Sequence, residues 1–238
     1  MATVEEYTAK WNDFFGRGFA PWDTREPASQ LVSFVEGSEA FAALRADCEA
    51  AGSPVRACEL GCASGAATRY LANEGCEALG IDLVPGVVEL ARRAAADEAA
   101  AAAAAASAGG TDSPAAVTTA GTGRYAPLFV QADVFQLPAG FSYAQTAAAQ
   151  GLGSSPSAAG GGSAAAADGA GRGEFDLVFD CQCFHCLRVF DEAKAVAAMA
   201  GLLRPGGLLL VLTGNAKEPE ISPAVLTREE LLVSTRTA

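Results

Sequence analysis

The chain has 238 residues, room for one domain with a sizeable core but not for a second full one beside it. Its 28 acidic and 16 basic side chains give a net charge of −12 and a pI near 4.5, which argues against a nucleic-acid backbone or an anionic membrane surface as partner. Seven cysteines, several inside apolar runs, read as reduced thiols, and the amino terminus has neither the basic region nor the apolar core of a secretory signal, so a cytoplasmic protein is expected.

Taken in order, residues 4–15, 28–34 and 39–50 read as helices lying over one edge of a sheet or over its ligand site. Short apolar runs then alternate with amphipathic stretches. Strands are expected at 55–60, 77–81, 128–132, 175–179 and 208–212, with helices at 66–73, 85–106 and 191–203. Near-continuous apolarity in the strands points to a parallel sheet covered on both faces, a doubly wound α/β fold. Arg204-Pro205-Gly206-Gly207 reads as the stop that ends the last of these helices. Two stretches rich in Ala, Gly, Ser and Thr, at about 94–126 and 139–173, interrupt a single domain spanning 1–238. The first is expected to continue a helix before fraying, the second to be a disordered insertion.

The strongest local signal is Glu59-Leu60-Gly61-Cys62-Ala63-Ser64-Gly65, between a strand and a helix. Glycines at such a turn let the backbone face a ligand with its amide N–H groups. The dinucleotide register Gly-x-Gly-x-x-Gly falls here on Gly61, Ala63 and Ala66, a poor match. At the end of the second strand Gly80-Ile81-Asp82-Leu83 sets a carboxylate where it can accept both hydroxyls of an adenosine ribose; capping of the next helix is the plainer alternative.

After the fourth strand comes Asp180-Cys181-Gln182-Cys183-Phe184-His185-Cys186, placed to meet a ligand beyond the carboxyl ends of the strands. His185, the one histidine of the chain, is a candidate general base or else a structural residue. Cys-x-Cys-x-x-Cys without a second cluster is incomplete for zinc, so no metal site is expected. Trp11, Phe14, Phe15, Phe19 and Trp22 precede the first strand; aromatics at helical spacing are usually core, but Trp22 in its loop suits a lid that would cover a cationic ligand by cation–π contact.

Together these pieces resemble class I S-adenosylmethionine-dependent methyltransferases, in particular the thiopurine, halide and thiol methyltransferase branch. The resemblance rests on Trp11 with Pro21-Trp22-Asp23, on Glu59 to Gly65, on Gly80 to Asp82, on Asp133-Val134-Phe135, on residues 175–180 and on Leu203-Arg-Pro-Gly-Gly207, in that order. It implies S-adenosyl-L-methionine as cofactor. Trp11, Glu59, Gly61, Cys62, Gly65, Asp82, Leu83, Asp133, Val134 and Cys181 are then expected near the cofactor, and Phe15, Trp22 and Phe184 near a small-molecule acceptor. For a soft nucleophile such as a thiol or halide, positioning and water exclusion supply most of the rate. The family's middle glycine is Ala63 here. The fold type ordinarily closes with two more strands, whereas Pro219, Pro223 and the capping box Thr227-Arg-Glu-Glu230 suggest one short helix, so the Rossmann-like sheet is expected to lack its last two strands and to expose an edge. A nicotinamide-dependent oxidoreductase and a catalytically inactive cofactor-binding protein are the competing readings.

Overall fold

The computed structural model describes residues 4–18, 20, 22–108, 125–138, 140–151, 173–213 and 227. Helices α1 (Val4–Gly16), α2 (Ser29–Gly37) and α3 (Glu39–Ala50) lead into β1 (Arg56–Leu60), α4 (Ala66–Asn73), β2 (Glu77–Asp82) and α5 (Pro85–Ala108). Then follow β3 (Leu128–Gln131), a short 3₁₀ turn, α6 (Tyr143–Ala149), β4 (Phe175–Cys181), α7 (Phe184–Leu202) and β5 (Leu203–Leu212). Every strand pair is parallel and the order is β3-β2-β1-β4-β5, with β1 at the centre where the chain reverses its winding. This is the expected doubly wound sheet.

The pleat divides the core into two layers, because successive strand residues point to opposite faces. On one face Ala57, Ala78, Leu177 and Phe179 pack against Leu31, Phe41, Leu44 and Leu71 of α2, α3 and α4. On the other, Cys58, Leu60, Leu79, Ile81 and Val178 pack against Tyr143, Ala147, Phe184, Ala195 and Met199 of α6 and α7. A small third cluster joins Val88 and Ala91 of α5 to Phe129 and Cys62.

Three expectations need correction. Residues 143–149, assigned to a disordered insertion, form α6 with Tyr143, Thr146 and Ala147 buried and Ser142 capping its amino end through Gln145 N at 3.1 Å. An alanine-rich segment folds here because the sheet offers one aromatic-sized slot, which Tyr143 fills, its hydroxyl donating to Ala126 O at 3.2 Å. The helix expected from residue 191 has about two preceding turns: α7 begins at Phe184 and kinks at Asp191, whose φ/ψ of −163°/101° is extended and whose Oδ1 accepts from Lys194 N at 2.9 Å. Asp191 is thus the amino cap of the second helical piece, the signal that marked it in the sequence. Finally, Arg204 to Gly207 does not separate helix from strand. It loops out within β5, which pairs Leu203 with Phe175 and then Leu208 with Leu177, while Gly206 turns at φ 80° and the Arg204 guanidinium is held by Asp176.

Among the described residues β5 pairs with β4 alone and forms one sheet edge, with Leu209 36% exposed. The short terminal helix expected near 227–230, beyond Thr227, together with residues 109–124 and 152–172 of the two low-complexity stretches and Phe19 and Pro21, lies outside the described residues. No described helix is long and apolar enough to cross a membrane.

Candidate cofactor and acceptor site

Parallel strands converge their carboxyl ends on the reversal point between β1 and β4, and there the structure opens a cavity of about 680 Å³, within the usual range for a small-ligand site. Its floor is the turn after β1. Gly61 (φ 63°), Ala63 (φ 46°) and Gly65 (φ 76°) all take left-handed backbone there. At Gly61 an added Cβ would stand 2.8 Å from Cys183 Cβ and Sγ, and at Gly65 it would stand 2.5 Å from the Phe129 ring. Gly65→Ala therefore combines left-handed strain with overpacking; an unfolding loss of about 3 kcal/mol is expected by denaturant titration. Ala63 has no such neighbour problem but carries the same backbone strain, so Ala63→Gly should be neutral or raise stability by up to about 1 kcal/mol, read from the same titration.

Two carboxylates fix this turn. Asp82, at the tip of β2, accepts from Ala63 N at 3.0 Å through Oδ2 and from Val84 N at 2.9 Å through Oδ1. An ionised carboxylate has about four acceptor sites, so each oxygen keeps capacity for one more donor facing the cavity. Burial raises its pKa, and the backbone N–H groups of Val84, Ala63 and Leu83 oppose the rise. Glu59 lies beneath the turn. Its Oε2 accepts from Thr68 N at 2.8 Å and from the Thr68 hydroxyl, supplying the amino-terminal cap of α4 that Gly65 cannot provide. Burial pushes the Glu59 carboxyl up to about 8. Arg69 braces the turn from α4, donating to Ser64 O at 2.5 Å and to Glu98 Oε1 at 2.7 Å.

The far wall follows β4. Asp180 is fully buried, takes Phe184 N on Oδ2 at 2.8 Å, and is pushed up to about 7 by burial. Beside it Cys181, Cys183, His185 and Cys186 line the cavity. The His185 pKa is lowered by burial and by the nearby Arg188 charge, so its imidazole is neutral at neutral pH. Over the opening lies α1, none of whose residues is fully buried. Trp11 and Trp22 meet edge to face at 5.3 Å, Phe15 stands 6.2 Å from Trp22, and Tyr7 stands 5.7 Å from Trp11. The leading loop is tied to the turn by Ser64 Oγ donating to Asp23 Oδ1 at 2.6 Å.

Trp11, Phe15, Trp22, Glu59, Gly61, Cys62, Asp82, Leu83, Asp133, Val134, Cys181 and His185 thus meet around one cavity, as do Tyr7, Asp23, Ala63, Gln182, Cys183 and Cys186, which sequence reasoning did not assign to the site. Tyr7 was findable: Tyr7, Trp11 and Phe15 recur every four residues and share one face of α1. Gly65 and Phe184 do not reach the cavity wall. Gly65 faces Phe129 and Ala91, and Phe184 is 1% exposed inside the α7 layer.

Residues 58–143, which hold the turn, Asp82 and Asp133, match a family model described as a methyltransferase domain. Over that stretch the chain is similar to methyltransferase domains. Solved structures extend the likeness over the whole sheet. One comes from work on the conversion of a disulfide bond into a thioacetal group during echinomycin biosynthesis (18% identity, 95% of this chain and 77% of that one, TM-score 0.53). Another is phosphoethanolamine N-methyltransferase 2 of Haemonchus contortus with S-adenosylhomocysteine (14% identity, 89% and 37%, TM-score 0.50). A third is a TehB-like methyltransferase of Corynebacterium glutamicum (13% identity, 98% and 80%, TM-score 0.45). At these identities the likeness is one of fold. No curated protein matches the chain by sequence. A methyltransferase domain of this fold takes S-adenosylmethionine as cofactor, and the donor set fits it: an acceptor-rich carboxylate with spare capacity at the β2 tip, open backbone at Gly61, and a neighbouring aromatic wall. Among the described residues no group of three or more metal-binding side chains occurs.

Proposed function

We propose that the methyltransferase acts on a small soft nucleophile, a thiol, a halide or a similar species, as in the thiopurine, halide and thiol branch, and works in the cytoplasm. The observation that carries this reading is the aromatic and sulfur-bearing lining of the cavity, to which the touching rings of Trp11, Phe15 and Trp22 and the thiol of Cys181 all contribute. Polarizable side chains and excluded water suit a soft acceptor, for which approach in line with the departing sulfur matters more than a strong base.

When bound, the cofactor supplies a methyl group activated on a sulfonium. The chain's own residues do the rest. Asp82 accepts the ribose hydroxyls, Glu59, Gly61, Cys62 and Leu83 line the path toward the reacting end, and Asp133 with Val134 borders the adenine side. Tyr7, Trp11 and Trp22 offer ring faces to a cation and keep water out. Lys10 illustrates that capacity, since its Nζ lies 5.5–5.6 Å from the ring centroids of Tyr7, Trp11 and Phe14. His185, neutral near pH 7, takes the proton of a thiol acceptor, a step that a halide ion does not need.

That difference tests the reading. The purified chain is given the cofactor with a panel of thiols and halide salts, and methyl thioether and methyl halide are measured. Turnover of either class is expected, and His185→Gln should lower thiol methylation by roughly 10²-fold while leaving halide methylation within about threefold. Turnover confined to phenols, carboxylates or amines would overturn the proposal.

A further inference from the structure

Four of the seven cysteines, Cys62, Cys181, Cys183 and Cys186, line the cavity, and none of the seven is in a disulfide. Two of them have a spacing that methyl transfer does not require. Cys183 is the amino cap of α7 and Cys186 lies three residues on, so the helix puts both on one face, with Cβ atoms about 5–6 Å apart. That turn is closed by Cys186 N donating to Cys183 O at 2.8 Å, and Leu187 N donates to the same carbonyl at 3.1 Å. Cys183 is held against the turn after β1, where an added Cβ on Gly61 would meet its sulfur at 2.8 Å; the Cys186 thiol reaches Gln182 O at 3.8 Å. Gln182 is itself fixed in left-handed backbone at φ 62°, with its N–H on Leu212 O at 2.8 Å. The pair is therefore held on a rigid corner and opens into a cavity.

We propose that Cys183 and Cys186 form a dithiol site for a trivalent thiophilic metalloid, with arsenous acid as the representative ligand. The ligand chemistry follows from charge and number of donors. Soft sulfur donors select soft acceptors. A structural zinc ion would need four ligands and thiolates, whereas no group of three metal-binding side chains occurs among the described residues. Arsenous acid needs two thiols and keeps one hydroxyl. Two As–O bonds break and two As–S bonds form, and each thiol proton leaves with a hydroxyl as water, so nothing is oxidised or reduced. Thiols that burial keeps protonated, as it does Cys183, are the right partners for this neutral exchange.

The inference stands apart from methyl transfer and is tested without it. The reduced full chain is incubated with inorganic arsenite alone, its mass measured under native conditions, and its thiols then alkylated and mapped by peptide. One arsenic per chain, with Cys183 and Cys186 protected from alkylation and Cys48 and Cys76 unchanged, is the expected result. Cys183→Ser and Cys186→Ser should each weaken arsenite binding by roughly 10²-fold or more, because the second sulfur then no longer acts within one molecule. Binding of S-adenosylhomocysteine, measured in parallel, reports whether a variant has kept its fold and its cofactor site. No arsenic adduct on the wild-type chain, protection of a different cysteine pair, or undiminished binding by the two serine variants would overturn the proposal; the mapping on the wild-type chain decides even where a variant does not fold.

Discussion

Replacing Asp82 by alanine should weaken binding of S-adenosylmethionine and S-adenosylhomocysteine by at least about 100-fold, roughly 3 kcal/mol, the worth of one or two hydrogen bonds to a charged acceptor. The carboxylate does two jobs at once. It holds Ala63 N and Val84 N, so that the turn after β1 and the start of α5 keep their places, and it turns its remaining acceptor capacity toward the cavity. The first job predicts some loss of stability, about 1–2 kcal/mol for two backbone donors left to find water. Asp82→Asn separates the two, since an amide oxygen can still serve one backbone N–H but cannot serve both sides of the group. Its melting temperature should fall less than that of the alanine variant while its affinity falls almost as far. Asp133→Asn is the contrast. Asp133 accepts one donor on each oxygen, Phe135 N at 2.9 Å and Gln136 Nε2 at 2.7 Å, but its contact with Gln136 is exposed to water, where a hydrogen bond is worth less, and its loss should cost less than tenfold. Titration calorimetry with S-adenosylhomocysteine reads all three, and affinity of Asp82→Ala within threefold of wild type would remove Asp82 from the site.

The second large effect is on stability and runs against the usual expectation for an acidic protein. Burial raises Glu59 to about 8 and Asp180 to about 7, above the ordinary carboxyl values of the unfolded chain. From about pH 5 upward the folded state therefore still carries protons that the unfolded state has released. Unfolding sheds protons, and stability falls as pH rises, by up to about 1.4 kcal/mol per pH unit for each group, until Asp180 ionises near 7 and Glu59 near 8. His185 acts oppositely and only at the acid end: with its pKa lowered, it contributes stability that is lost as pH falls below about 6.5. Two carboxylates outweigh the one opposing imidazole, so the melting temperature should fall from about pH 5 upward and be lower by roughly 5–10 °C at pH 8.5 than at pH 6. Glu59→Gln and Asp180→Asn should flatten the alkaline side, because each keeps the oxygen that Thr68 N or Phe184 N needs and removes the charge. A melting temperature that is level or rising from pH 6 to 8.5 would show that both carboxylates are ionised and solvated. The same titration has a counterpart in ligand binding. If Glu59 meets the cationic amino group of the cofactor, binding near pH 7 ionises Glu59 and releases a proton, and the apparent binding enthalpy then depends on the buffer.

Much of this was legible in the residues. Strand and helix positions follow from periods of two and 3.6, and those periods are local, so five strands and their parallel order of travel could be read from apolar runs and the stretches between them. Gly61 and Asp82 could be placed at strand ends because left-handed backbone and a lone carboxylate after an apolar run each have few other uses. What tertiary structure decided was direction. Gly65 and Phe184 lie within a few residues of the cavity along the chain, yet one faces Phe129 and the other the α7 core. A side chain's target depends on the exact phase of helix or strand and on what packs from the far side, which spacing along one segment does not contain. The same holds for α6, whose alanines carry no burial signal until the sheet supplies the slot for Tyr143, and for Cys183 and Cys186, ordinary apolar cysteines until α7 starts at Phe184 and turns both toward one cavity. Sequence alone determined the five strands and which chemistry lies at their ends; only the packing of α1, α4 and α7 around the reversal point decided which side chains share that space, because it joins residues more than a hundred positions apart.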